Sequence, residues 1–162
     1  MGVHDREGVD PELLDLLLAL DGVMQSPRHH PEGDALFHSL QVFDLARRAT
    51  DDRELWAAAL LHDVGKAIDD DDAEGHDEIG ADLLEGLVSE RVVWLVRHHL
   101  DLLRDPKRTR ARFVGTRELE DLEALRRWDL GGRSPHARVL PPEECLRLLL
   151  ASSSPNERNE PT

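Results

Sequence analysis

The chain has 162 residues, 40% of them hydrophobic, and its 20 basic side chains against 34 acidic ones leave a formal net charge of −14. That length makes about one domain with a real core. A surface this acidic argues against extended nucleic-acid binding, whose affinity comes mostly from cationic neutralisation of phosphates. One small phosphorylated substrate in a local pocket stays allowed. The lone Cys145 excludes an internal disulfide, no apolar run approaches the ~18–20 residues of a membrane span, and Met1–Asp10 has no apolar signal core, so a cytoplasmic protein is expected.

Residues 1–10 are polar and expected to be flexible, and Ser152–Thr162 forms a polar tail expected to be disordered. Between them, 11–151 reads as one all-α globular domain of about six to seven helices. Pro11-Glu12 open a first helix carrying leucines at 13, 14, 16, 17, 18 and 20, stopped by Gly22. Asp34 caps a second with Leu36, Leu40, Val42, Phe43 and Ala46. A third runs from about Arg53 to His62, a fourth from about Asp77 to Leu87, a fifth from about Ser89 to Leu103 and a sixth from about Thr116 to Leu130. The last follows Pro141-Pro142 with Cys145, Leu146 and Leu148–Leu150. No stretch alternates with period two, so no sheet is expected. The run Asp69–Asp72 reads as a solvated acidic loop, and the basic 104–116 segment as an exposed connection, with a phosphate-facing rim as the lesser reading.

Chemistry concentrates at Leu61-His62-Asp63-Val64-Gly65-Lys66, where an apolar helix ends in two metal-ligand residue types. His38 precedes this doublet, His76, His98 and His99 follow it, and Asp129 closes the order. Imidazole and carboxylate together suit Mn, Fe, Co, Ni, Zn or Mg, while the lack of a cysteine pair excludes a thiolate zinc site. On the fifth helix Val92, Leu95 and Val96 define an apolar stripe that continues onto His99, whereas His98 lies about 100° around the axis. His99 is therefore the better inward ligand and His98 its alternative. Asp63 has two oxygens and is able to bridge two ions. Taken singly, each of these histidines also reads as an ordinary hydrogen-bonded helix residue; the ordered set carries the metal reading.

The matching residues His30-Pro31-Glu32-Gly33-Asp34 with His38, Leu61-His62-Asp63-Val64-Gly65-Lys66, Gly75-His76, Val96-Arg97-His98-His99, and Asp129 before Gly132-Arg133 give the chain a specific likeness. It resembles the HD-domain superfamily of metal-dependent phosphohydrolases, in particular the HD domain of bacterial tRNA nucleotidyltransferases, over roughly residues 23–135. The chain lacks the Gly-Ser and paired acids of the nucleotidyltransferase centre, so adding nucleotides to tRNA is not implied. The resemblance implies His38, His62, Asp63 and Asp129 as a core ligand set, His76 and His99 as the histidines of a second ion, and one or two divalent ions as cofactor. Trp128 departs from the small residue that the resembled pattern has before Asp129.

The activity so implied is hydrolysis of a small phosphate ester or nucleotide, as phosphomonoesterase or cyclic phosphodiesterase, with Asp63 and Lys66 as catalytic groups. Lys66, Arg97 and Arg133 are candidate phosphate partners. His30 and Glu32 are candidates to line the mouth, beside a plainer reading as a turn built on Pro31 and Gly33. Two other classes compete: a di-iron oxygenase of the same fold, and a non-catalytic metal- or nucleotide-binding module. Neither substrate identity nor oligomeric state can be read from the residues.

Overall fold

The computed structural model describes residues 8–68 and 75–151, so the acidic run at 69–72 and the polar ends (1–7 and 152–162) lie outside the described residues. The described residues are helical and contain no strand; one isolated antiparallel bridge joins Met24 and Asp34. In chain order the helices are α1 (Pro11–Leu18), α2 (Ala35–Ala49), α3 (Arg53–Leu61), α4 (His76–Leu84), α5 (Glu90–His98), α6 (Asp101–Arg104), α7 (Pro106–Arg112), α8 (Arg117–Gly131) and α9 (Pro142–Leu150), with a 3-10 turn over Val64–Ala67. None is long and apolar enough to cross a membrane.

Short polar side chains start most of these helices by accepting from otherwise unpaired backbone N–H groups. Asp10 caps α1, Asp34 caps α2, Asp52 caps α3, Ser89 caps α5 and Thr116 caps α8. The all-α expectation holds, and among the described residues nine α-helical segments stand where about six to seven helices were expected. The fifth helix ends at His98, and a single turn (α6) comes before a new start. Asp105 accepts from the Arg108 N–H and Pro106 takes the first helical turn, which makes α7 out of the segment read as an exposed connection. Its charged side chains are exposed as expected, while Thr109 is buried and hydrogen-bonds back to Asp101 and Asp105 carbonyls.

α3 is the axis of the domain. Ala58, Ala59, Leu60 and Leu61 are wholly buried, because α2, α5, α8 and α9 surround this short helix. A helix apolar all round belongs in a core, and its alanines let neighbours approach closely. Burying the α3 tip also buries the two residues just beyond it. The His62-Asp63 doublet sits at the bottom of the bundle, between the start of α2, the ends of α5 and α8, and α4.

Candidate metal centre

Three histidines are fixed in the same way. His38 lies one turn into α2 and is fully buried; its Nδ1 is 2.8 Å from the Gly132 carbonyl oxygen. His62 at the end of α3 sets Nδ1 2.8 Å from the Ala59 carbonyl, and His99 at the end of α5 sets Nδ1 2.6 Å from that of Val96. A carbonyl only accepts, so each Nδ1 carries the hydrogen and each neutral ring turns its Nε2 lone pair inward. The backbone of three helices thus selects the tautomer and the direction of three ligand atoms, the usual outer-shell support of a metal-binding imidazole.

The carboxylates complete two groups. Asp129, near the end of α8, brings Oδ1 to 2.9 Å from His38 Nε2 and 3.6 Å from His62 Nε2. Asp63 turns Oδ2 towards the same pair, 3.3 Å from His62 Nε2 and 3.8 Å from His38 Nε2. Its other oxygen, Oδ1, faces His76 Nε2 at 3.2 Å and His99 Nε2 at 3.6 Å, and those two nitrogens are 3.3 Å apart. His38, His62 and Asp129 form one potential ion cradle and Asp63, His76 and His99 another. The donor set fits divalent ions on a direct observation: His62 Nε2 is buried against the Asp63 and Asp129 carboxylates but, among the described residues, has no partner of ordinary hydrogen-bond geometry, so a divalent ion would satisfy all three groups in place of a proton.

Electrostatics follow from this crowding. Burial disfavours the His62 imidazolium, yet the Asp63 charge and the nearby Asp129 carboxylate override it and raise its pKa to about 10. Burial is likewise outweighed at Asp63 by the His62 and Lys66 charges, and at Asp129 by His38 and His62, so both carboxyls lie well below their ordinary range. Burial wins at His99, whose pKa is lowered. An ion entering the first group must therefore displace a proton from His62. Calorimetric titration of metal at pH 8 in buffers of different ionisation enthalpy is expected to show net proton release. The same proton shapes the metal-free protein. Its stabilising contribution is complete below the ordinary value of 6.5 and is lost as pH rises through about 10. Melting temperatures in chelator are expected to fall over that window; a flat profile would sink the charged-His62 assignment.

Sequence-selected residues divide at this point. His38, His62, Asp63, His76, His99 and Asp129 come together. His98 does not: its Nδ1 is 2.8 Å from Asp101 Oδ2 and its ring stacks on Trp94. Arg97 corrects an expectation, since its guanidinium is held by Glu78, Asp82 and Glu85 on the outer face of α4 and the turn after it, away from the centre. Glu32 corrects another. It does not line the mouth; its side chain is fully buried, with Oε1 3.1 Å from His38 Nδ1 and 2.8 Å from His30 Nδ1. These three side chains also lie close enough to hold an ion, but His38 Nδ1 is committed to Gly132, so they read as a brace behind His38. Lys66 reaches Asp63 Oδ2 at 2.9 Å, and Arg133 donates to the His29 carbonyl at 2.9 Å. Burial lowers the His30 pKa against the hydrogen bond to Glu32, and the charges of Lys66 and Arg133 lower it further.

Residues 36–140 match the family described as HD domain, well over half of the chain. The chain belongs to the HD-domain family. It is 47% identical over 81 residues to the multifunctional CCA protein of Halorhodospira halophila, covering 48% of this chain and 20% of that protein. The multifunctional CCA protein of Hahella chejuensis is 37% identical over 93 residues, 55% and 21% of the two chains. Ribonuclease Y of Oleidesulfovibrio alaskensis is 34% identical over 109 residues, 63% and 20%. The chain therefore spans about a fifth of the length of these relatives. HD domains bind divalent metals and form a metal-dependent hydrolase-type superfamily, and the buried histidine and aspartate groups of this one are able to hold such ions.

Two partners of the centre were not singled out from the sequence. Gln25 accepts from Lys66 Nζ at 2.6 Å, and Arg126 approaches Asp129 Oδ2 at 3.4 Å. Gln25 stands in a loop with no periodicity to mark its direction. Arg126, three residues before Asp129, was open to the i, i+3 rule.

Proposed function

We propose that this HD domain is a metal-dependent phosphohydrolase acting on a small phosphate ester or nucleotide. His38, His62, Asp129 and Asp63 Oδ2 would hold one divalent ion, and Asp63 Oδ1, His76 and His99 a second. The observation that carries the reading is the division of Asp63 between two histidine sets, each oxygen facing its own pair of inward Nε2 atoms. Bound divalent ions supply concentrated positive charge for phosphoryl oxygens and acidify a coordinated water. The chain's own residues do the rest. Asp63, held in its charged form, orients both ligand sets, while Lys66 beside it is a partly exposed ammonium able to meet a non-bridging oxygen. Arg133, which donates to the His29 carbonyl, adds a second cation on this side, and the His30 ring there is kept towards its neutral form. In a protein of net charge −14, such a local array is what lets an anionic substrate settle. One relative bears the name ribonuclease, which supports phosphoester cleavage as chemistry compatible with this domain.

The test is metal analysis of protein purified without chelator, then a panel of phosphomonoesters and cyclic phosphodiesters on the same sample. Two ions per chain are expected, with phosphate release in Mn or Co that chelation abolishes. Iron-bound protein that consumes oxygen and releases no phosphate would instead establish the oxygenase alternative. Tight metal or nucleotide binding with no turnover would leave a binding module.

A further inference from the structure

Gln25 belongs to a loop whose backbone is tightly tied. Gln25 N–H donates to the Gly33 carbonyl at 2.8 Å, Ala35 N–H to that of Val23 at 2.9 Å, and Gly22 N–H to Asp34 Oδ2 at 2.6 Å. Asp34 in turn caps α2, the helix of His38. Gln25 as a residue is only 9% exposed, so the fold sets the direction of its side chain. Its amide contacts Lys66 Nζ, and an ammonium has only donors; the oxygen must therefore face Lys66. That leaves the N–H2 group turned elsewhere, and Nε2 is buried with no hydrogen-bond partner among the described residues. A buried amide donor left unpaired is costly, and covalent geometry keeps it only about 2.3 Å from the oxygen that holds Lys66. Beside the metal centre there are thus two neighbouring donors: the ammonium of Lys66, 2.9 Å from Asp63 Oδ2, and the unused amide of Gln25.

We infer that Gln25 is a substrate-binding residue: its oxygen holds Lys66 against Asp63, and its free N–H2 donates to a phosphoryl oxygen of the bound ester. The inference rests on the phosphohydrolase reading above and adds a side to it: the phosphoryl group lies towards the 23–35 loop, against the His38–His62–Asp129 group, with His76 and His99 behind. An anion accepts from both donors at once, whereas a cation or a neutral apolar ligand accepts from neither.

The probe is inorganic phosphate, followed by phosphorus NMR line broadening on Mn-loaded protein, in a double-mutant cycle of Gln25→Met and Lys66→Met. Gln25→Met is expected to weaken phosphate binding about tenfold, as for a lost hydrogen bond to a charged group, and to do so again when Lys66 is already Met. If Gln25→Met has no effect, or none in the Lys66→Met background, Gln25 is only an anchor for Lys66 and the inference is overturned. Metal content and a thermal melt report whether each variant is intact. If Gln25→Met does not fold, Gln25→Glu keeps the Lys66 acceptor but removes the donor. It must then bind phosphate more weakly than the unsubstituted protein, and equal binding overturns the inference. Unsubstituted protein that loads metal and binds no phosphate would overturn both this inference and the phosphohydrolase reading. Intact phosphate binding with a silent Gln25→Met would remove this inference alone.

Discussion

Asp63→Ala is expected to empty both ion sites and to lower phosphoester hydrolysis roughly a thousandfold or more, the several kcal/mol that metal ions contribute to transition-state charge. The reason is geometric. Each of the two groups uses one Asp63 oxygen, so a single truncation removes a ligand from both. Asp63→Asn keeps the shape but not the charge and is expected to behave in the same direction. In the metal-free protein the buried Asp63 and Asp129 carboxylates are balanced by the charged His62 and by Lys66, so removing Asp63 also leaves buried cations without their partner. Elemental analysis after reconstitution, beside circular dichroism to show an intact fold, checks this. His98→Ala is the matched control and should keep its full metal content, because His98 turns away to Asp101. An Asp63→Ala protein that still binds two ions would end the assignment of this centre.

Gly65→Ala is expected to destabilise the domain by about 3 kcal/mol, the upper range for forcing atoms into a packed core, and to lose the ion of the His76–His99 group. A Cβ at Gly65 would collide with the His76 carbonyl oxygen and stand 2.8 Å from the Gly80 backbone nitrogen. Both obstacles are backbone, so no rotamer change relieves them. Only a retreat of α4 would, and that carries His76 away from Asp63. Denaturant unfolding measures the first effect and metal stoichiometry the second. A loss under about 0.5 kcal/mol, the range of ordinary surface substitutions, would show that α4 does not pack on the 3-10 turn as described. Gly65 lies inside the 3-10 turn, three residues beyond the His62 that closes α3. It lets the turn after the doublet lie against α4 closely enough for His76 to reach the centre.

The chain order of ligand types was already legible as a pattern, and the reasons are local. His62 and Asp63 follow an apolar α3 whose end must be buried if its leucines are. The α5 stripe of Val92, Leu95 and Val96 continues onto His99, and helical periodicity alone ranks it above His98. Periodicity does not report short capped turns, which is why Asp105-Pro106 opened a helix in a segment read as an exposed connection. It also says nothing about long side chains on loops. Arg97 was a candidate phosphate partner, but three acids of α4 and its following turn claim it. Glu32 was a candidate to line the mouth beside a plainer reading as part of a Pro31–Gly33 turn, but the loop folds it onto His38.

The sequence by itself determined an all-α domain of the HD type, with buried helix ends that carry histidines and aspartates, since those follow from apolar periodicity, capping residues and short motifs. Only the tertiary structure decided the rest. It placed Asp63 between two histidine groups, bound three Nδ1 atoms to backbone carbonyls so that Nε2 faces inward, and set Gln25 against Lys66 across 41 positions of chain. Those features depend on the packing of α2, α4, α5 and α8 around α3. Distances between side chains on separate helices are fixed by that packing, and no local pattern along the chain encodes them.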